Sequence, residues 1–546
     1  MPKLNKNHGT EALRSKLILI YANLVKSGIL FPKRSDLIAA GLSRDSMRHH
    51  FGTIGNLRKI AKERHPDAFK NELSLDDYLS NSNLKKIHSR VKKYNKFFIT
   101  TAIAGQAVHK DFLASINQFC KINKAKLILL PSHDPAHNLD SEVNWMFDEN
   151  IKHTEFDYIF EDLRLNSNLM ISGIRVTAKQ INPVTGLSEL SQKEGSCIFA
   201  SPKQSLEYDA VSANRLPHAR MTTGAITLPN YNTTKGNSLR TSYIATFQHV
   251  IGGIIVEIAD NNIFHFTQVQ ADKNGSFCHM GKEYSKNKCV PVKVSFIMGD
   301  LHAGEHDIKA LNAWKEIIKE VKAYQVVFHD TFDGKSISHW TEQDALVRAE
   351  LAMSGENSLE NELKLVRDIL DDVLSIPSVK KGVIVKSNHD DFLDRYLKRG
   401  GFMKDPINFK LGCQLAAEVV NTNKDVLEHG INLVGVGKHH KKIKFLGVNE
   451  DYLIGDVHAG AHGDRSSNGS KGAIKSLAKS FSKGVFGHSH TPGIFKKAFQ
   501  VGTTSKLRQG YNKGPSSWVH CSALVYDNGQ VQLINALDGK WRSNKK

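Results

Sequence analysis

Short apolar runs in the second half of this chain are each followed by side chains that bind metals, and this pairing constrains the fold more than any other feature. The run 294–298 precedes Gly299-Asp300-Leu301-His302, and the run 325–328 precedes Asp330. The run 382–385 precedes Ser387-Asn388-His389-Asp390; further on come His462 and Gly487-His488-Ser489-His490. Apolar runs of that length read as buried strands, and helical periodicity over 308–321 and 359–374 separates the first three. Strand, helix and strand in succession build a parallel sheet through crossover connections. In open sheets of this kind sites form beyond the carboxyl ends of the strands, so Asp300, His302, Asp330, Asn388 and His389 are expected along one edge.

Asp, Asn and His without a Cys suit hard-to-borderline divalent ions, and enough of them are present for two. Two adjacent ions imply displacement at phosphorus. Any single Asp-x-His or His-x-His pair is more often a surface or capping pair than a ligand pair. The ordered set, each member abutting an expected strand, is what carries the reading.

The order Asp-x-His, Asp, Asn-His-Asp, His, Gly-His-x-His resembles the calcineurin-like metallophosphoesterases, in particular the repair exonucleases for DNA double-strand breaks, over roughly residues 294–510. The resemblance implies an α/β (α+β) fold, a β-sandwich flanked by helices. It also implies that Asp300, His302 and His490 hold one ion, that Asn388, His462 and His488 hold the other, and that Asp330 bridges both. The ions would be Mn²⁺ first, with Mg²⁺, Fe²⁺ or Zn²⁺ as alternatives, and would lower the pKa of a shared water. His389 would stand over the substrate phosphate and protonate the leaving oxygen, oriented by Asp390.

Two positions depart from the family pattern: the glycine usual before the bridging Asp is His329, and the glycine usual before Asn-His is Ser387. Neither change removes a ligand, but glycine often marks positive φ or close approach, so the local backbone is in question. In the fourth motif both His458 and His462 follow the apolar run 452–454. His462 is favoured, because His462-Gly463-Asp464 followed by Asn468-Gly469 and Gly472 looks like the phage members of the family; His458 is the alternative ligand. The near-recurrence of 299–304 at 455–460 is read as shared turn chemistry, not as a repeat.

Near the N-terminus, residues 36–51 read as a helix, a tight turn at Gly41 and a second helix capped by Ser43. Over about residues 15–65 the chain resembles the helix-turn-helix of TetR-type regulators. The resemblance implies DNA contacts from Arg44, Arg48, His49 and His50 on or near the recognition helix. A plain helical bundle for protein contacts is the competing reading.

Charge points toward polyanions: 74 Lys and Arg oppose 55 Asp and Glu, a formal +19. The excess is dense in 85–96, 438–444 and 542–546, although a charge run is usually a solvated face. At 546 residues, several folding units are expected. We divide the chain into a helical head (1–70), a polar basic connector (71–95), a mixed α/β region (96–290) and the metal-binding region (291–546). Within the third, 97–103, 107–120 and 126–130 suggest one βαβ unit, and short β-like runs extend from there to 290. The region carries no motif; a DNA-holding role and self-association into a homo-oligomer are the two readings open for it. A hairpin is expected around Asp527-Asn528-Gly529. Six scattered cysteines show no disulfide or zinc spacing, as in a reducing, cytoplasmic setting. No apolar run approaches a membrane span.

These features together lead to an expected function: a metal-dependent DNA nuclease. The lysine-rich composition and the stretch from His462-Gly463-Asp464 to Gly469-Ser470-Lys471-Gly472 look most like proteins of virulent tailed phages, which implies an early nuclease that degrades host DNA in the host cytoplasm. A phosphomonoesterase or protein phosphatase of the same fold would use the same ligands. A DNA-binding regulator with a non-catalytic metal domain is the alternative from another class.

Overall fold

The computed structural model describes residues 11–32, 34–70, 72–73, 78–133, 145–231, 239–338, 344–422, 424–448, 450–510 and 512–543. The fold is α/β. At its centre is a six-stranded sheet with strand order Ile443–Phe445, Lys381–Ile384, Gln325–Phe328, Val294–Ile297, Cys521–Tyr526, Val531–Asn535. The first four strands are parallel and in register, with Ile297 beside Val327 and Phe328 beside Ile384. The last two form the expected hairpin, with Gly529 at φ 83° in its turn.

Strand alternation divides this sheet into two chemical faces. Phe296, Val326, Phe328, Ile384 and Leu524 pack against helices, while Ile297, Val327, Val383, Ala523 and Val525 pack with Val485 and Phe499 of a second sheet. Helices Ile308–Val321 and Leu359–Leu374 cover the first face. Asp307 and Ser358 cap their N-termini, and Leu311, Trp314, Ile318 and Leu363, Val366, Leu370 recur at the three-to-four-residue spacing that buries one stripe.

The second sheet has ten strands and is built from two distant parts of the chain. Strands within 453–500 supply half of it and strands within 163–222 the other half, joined where Ile494 pairs with Leu206 and Phe495 with Ser205. A five-stranded sheet holds the βαβ unit expected from the sequence: Lys96–Ile103 runs parallel to Lys126–Ser132, with helix Lys110–Asn123 between them in the chain. One continuous apolar cluster includes Phe98 and Ile128 of this sheet and Val383 and Val525 of the central one. The division expected near residue 290 is therefore spanned by both a sheet and a core.

The head comprises helices Glu11–Lys26, Arg34–Ala39, Arg44–Phe51 and Ile54–Arg64 around Leu17, Tyr21, Leu37, Leu57 and their neighbours. Gly41 has φ 88°, and Ser43 Oγ accepts from the Ser46 amide, as the turn and cap reading requires. Met146 joins this cluster from the mixed α/β region, which packs the head onto that region, and buried Arg58 donates to the Leu30 carbonyl at 2.9 Å. Among the described residues no helix is long and apolar enough to cross a membrane, and all six cysteines are free.

Candidate metal centre

Asp300, His302 and Asp330 follow two adjacent parallel strands. The loops after Val294–Ile297 and Gln325–Phe328 run side by side, and their backbones bond across: Leu301 N to His329 O at 3.0 Å, His302 N to Asp330 O at 2.7 Å, Ala303 N to Thr331 O at 3.1 Å. The loop after Gly484–Phe486 is tied in by Gly487 N to His462 O at 2.7 Å and by His488 N to Asp300 Oδ2 at 2.7 Å. Asp300, His302, Asp330, His462 and His490 are all buried.

The side chains converge. His490 Nε2 lies 3.2 Å from Asp300 Oδ2 and 3.0 Å from His302 Nε2, which is itself 3.5 Å from Asp330 Oδ2. On the other side of Asp330, His462 Nε2 is 3.1 Å from the same Oδ2. His488 Nδ1 sits 3.0 Å from Asn388 Oδ1. Asp330 thus stands between two groups, one with Asp300, His302 and His490, the other with His462. His458 is elsewhere: its ring packs on Phe481, with Asp451 3.8 Å away.

Burial alone would push these groups toward their neutral forms, and the cluster resists it. For His302 the loss of water opposes charge, but the carboxylates of Asp330, Asp333 and Asp300 outweigh it and hold the ring up to about 9. For His462 burial is likewise outweighed, by Asp330, Asp300 and Asp464, up to about 10. Against burial, His462, His389 and His302 keep Asp330 well below the usual carboxylate range. The site therefore favours positive charge, which a divalent cation held by these residues would supply. Among the described residues, the buried carboxylate oxygens Asp300 Oδ1 and Asp330 Oδ1 have no hydrogen-bond partner. Buried acceptors left in this condition are costly, and an oxygen and nitrogen donor set of this kind fits divalent cations. The cluster of Asp and His can bind metal ions.

Backbone strain is concentrated here. His302 (φ 47°), Asp330 (φ 44°), His488 (φ 74°) and His490 (φ 58°) all adopt the left-handed region. Such conformations cost about 1–3 kcal/mol each and persist where the surroundings over-determine them. His329 and Ser387, which stand where glycine was expected, do not have positive φ. His329 is buried, with Nδ1 3.4 Å from His462 Nδ1, so it packs beneath the site. Gly487 does need to be glycine, because a Cβ there would lie 2.2 Å from Asp300 Oδ1.

His389 lies over the cluster, its ring 4.5 Å from that of His302. Asp390 does not orient it. The Asp390 carboxylate accepts from the Ser387 amide at 3.0 Å and closes its own turn, because helix Asp390–Lys398 begins there and turns the side chain away. The orienting residue is Asp333, which the sequence reading missed. Its carbonyl accepts from His389 Nδ1 at 2.7 Å, and its Oδ1 accepts from His302 Nδ1 at 2.9 Å. Asp333, His302 and His389 form a second group able to hold an ion. Asp333 is fixed in turn through its loop. Glu362 Oε1 accepts from the Gly334 and Lys335 amides at 2.7 and 3.0 Å, and Oε2 accepts from Ser336 Oγ at 2.6 Å. The signals were an Asp-x-x-Asp spacing from Asp330 to Asp333 and a carboxylate on the apolar stripe of a helix.

The other expected site residues belong to the head. Arg44, Arg48 and His49 are exposed on helix Arg44–Phe51, and half-buried His50 has its ring 5.2 Å from that of His49. In the basic runs, Lys85, Lys86, Lys92 and Lys93 are exposed. Lys442 instead donates to the Leu374 and Val379 carbonyls, and Lys444 pairs with Glu450. Arg542 pairs with Glu320, and the rest of the C-terminal run, 544–546, lies outside the described residues.

No protein-family profile matches the chain. A solved crystal structure aligns over 45% of this chain and 99% of its own, with 9% identity and a TM-score of 0.25, values that carry no argument about fold. The chain is similar to Protein A1 of Escherichia phage T5, 26% identical over 484 residues that cover 83% of each.

Proposed function

We propose that this chain is a metal-dependent DNA nuclease, a phosphodiesterase of calcineurin-like type. The observation that carries the reading is the buried convergence of Asp300, His302, Asp330, His462 and His490 around unsatisfied carboxylate oxygens. Asp300, His302, Asp330 and His490 would hold one divalent ion, and Asp330, Asn388, His462 and His488 the other, with Mn²⁺ the first candidate. When bound, such a pair supplies a nucleophile near neutral pH and neutralises charge on the phosphoryl oxygens.

This chain's own residues do the rest. Asp333 fixes both His302 and His389 through their Nδ1 atoms, which leaves His389 Nε2 for the substrate. Burial lowers the pKa of His389, and a phosphate beside its Nε2 would favour the protonated ring that can pass a proton to the leaving oxygen. Exposed Arg44 and Arg48 on the head, with His49 and His50, would grip duplex through phosphates or guanine edges. Similarity to a phage protein supports a phage origin, and the role proposed on that basis is degradation of host DNA early in infection, in the host cytoplasm.

The test is incubation of the purified protein with linear and closed circular duplex in Mn²⁺, Mg²⁺ or EDTA, beside an Asp330→Ala/His389→Ala variant. The expected result is metal-dependent cleavage that the variant lacks; attack on closed circles would mark an endonuclease. Intact DNA throughout, with hydrolysis of an aryl phosphate monoester, would make the protein a phosphatase. Metal binding without turnover of any ester would make it a DNA-binding regulator.

A further inference from the structure

A cavity of about 250 Å³ opens beside the metal centre and shares two of its walls, Ser387 and His462. It is somewhat smaller than the roughly 300–1,000 Å³ of most ligand sites. Its remaining walls differ from the cluster in chemistry. Phe481 and His458 present aromatic surface, their centroids 5.4 Å apart at 62°. The hydroxyls of Ser467 and Ser480 lie 2.7 Å from each other at its edge, with Ser466 3.3 Å from Ser480.

Charge decides what the cavity can take. Its cations are Lys386 and Arg465, against Asp391, Glu450, Asp451 and Asp464. Lys386 is held by Asp394 at 2.7 Å and Asp425 at 2.8 Å, and Arg465 by Asp391 and Asp464. Both positive charges are thus already matched by two carboxylates each. A phosphate would enter a negative environment with no unmatched cation to receive it. An uncharged ring with N–H donors on its edge suits the same walls: the face stacks on Phe481, and the edge meets serine and carboxylate oxygens. Base on aromatic stacking is worth about 1–3 kcal/mol per base.

Building on the nuclease reading, we infer that this cavity is a nucleobase pocket. It receives the base of the nucleotide next to the scissile phosphate, turned out of the stack while the phosphate lies at the metal centre. Because His462 belongs to both, occupancy of the pocket sets where along the strand the backbone is cut.

The experiment compares wild type with Ser467→Trp and Ser480→Trp, which fill the pocket from exposed positions outside the catalytic machinery. Three substrates are used in Mn²⁺: an oligonucleotide duplex, the same duplex with one abasic site beside the cleavage position, and methyl p-nitrophenyl phosphate, a diester with no base. The expected result is a KM for the intact duplex raised tenfold or more in both variants, hydrolysis of the small diester within twofold of wild type, and little difference between variants and wild type on the abasic duplex. Normal cleavage of intact duplex by both variants would overturn the pocket and leave the nuclease standing. Equal losses on all three substrates would also overturn it, because the cavity would then only support the cluster. A wild type inert toward every substrate would remove the nuclease reading and the pocket with it.

Discussion

Gly487→Ala is the smallest change that should disable the metal centre. The position does not need glycine for its backbone, since its φ is not positive. What it lacks is room: the added Cβ would fall 2.2 Å from Asp300 Oδ1 and 3.2 Å from His329 Cβ. An ordinary contact of this type is about 3.5 Å, so carboxylate and methyl must separate by roughly 1 Å. Asp300 has little freedom to yield, being fully buried with its Oδ2 bound by His488 N at 2.7 Å and set 3.2 Å from His490 Nε2. Overpacking of this kind costs about 1–3 kcal/mol of stability. A displacement of about 1 Å at a reacting centre costs about 10²-fold in rate. The assay is the initial rate of duplex cleavage in saturating Mn²⁺, with thermal unfolding measured with and without the ion. Gly510→Ala is the control, as its Cβ meets nothing within 4 Å. If Gly487→Ala retains wild-type rate and wild-type stabilisation by metal, then the close approach of this loop to Asp300 does not shape the site, and the reasoning fails.

Metal binding should register in stability without any substrate. A divalent ion at about 100 times its Kd adds about 2.7 kcal/mol to the native state, so Mn²⁺ should raise the melting temperature of wild type and leave Asp330→Asn unmoved; an equal rise in both would place the ion elsewhere. Asp333→Asn should weaken metal affinity by about 10–100-fold, as loss of partners behind a ligand histidine typically does; isothermal titration would read it, and unchanged affinity would deny Asp333 its hold on His302. Burial pushes the Glu362 carboxyl from 4.5 up to about 7, ahead of the hydrogen bonds that lower it. The folded state then holds that proton more tightly than the unfolded chain, so the associated stability is present at low pH and is lost as pH rises from about 4.5 through 7. The span is on the order of 3 kcal/mol, and the stability gap between wild type and Glu362→Gln should shift by that order between pH 5 and 8; a gap independent of pH would refute it. Arg44→Ala and Arg48→Ala should each lower the slope of log affinity against log salt for duplex DNA by about 1 if they meet phosphates, and fluorescence anisotropy showing an unchanged slope would take them off the DNA.

The parts of the fold that were legible in the sequence are those set by local rules. Helices Ile308–Val321 and Leu359–Leu374 have the limits expected of them, because Asp307 and Ser358 cap their starts and apolar residues recur at helical spacing throughout. Asp300, His302 and Asp330 meet because they lie just past two adjacent strands that pair parallel and in register. The ten-stranded sheet was not legible. Its join pairs Ile494 with Leu206 across strands as short as Gly493–Phe495, too few residues to show a period, and the choice of partner is made only by tertiary packing. Asp390 misled for a similar reason. Adjacency in the chain placed it beside His389, but the helix that starts at Asp390 sends its carboxylate back to the Ser387 amide, and Asp333, distant in sequence, takes the orienting role.

The glycine rule failed in an instructive direction. His329 and Ser387 were doubtful because glycine was expected there, yet both sit in ordinary backbone, and the left-handed conformations fall on His302, Asp330, His488 and His490 themselves. Selection for stability alone would put glycine at such positions, since glycine adopts positive φ without penalty. A histidine or aspartate held there, at about 1–3 kcal/mol each, is explained if the side chain is needed at that point and the strain fixes its direction. The surrounding bonds hold it in place: the amides of 301–303 donate to the carbonyls of 329–331 and tie the two loops together. Local rules are broken here where function requires a side chain that the backbone would otherwise refuse. The same reasoning makes glycine at these four positions a poor repair: it relieves strain, removes the ligand and frees the loop that the ligand had aimed.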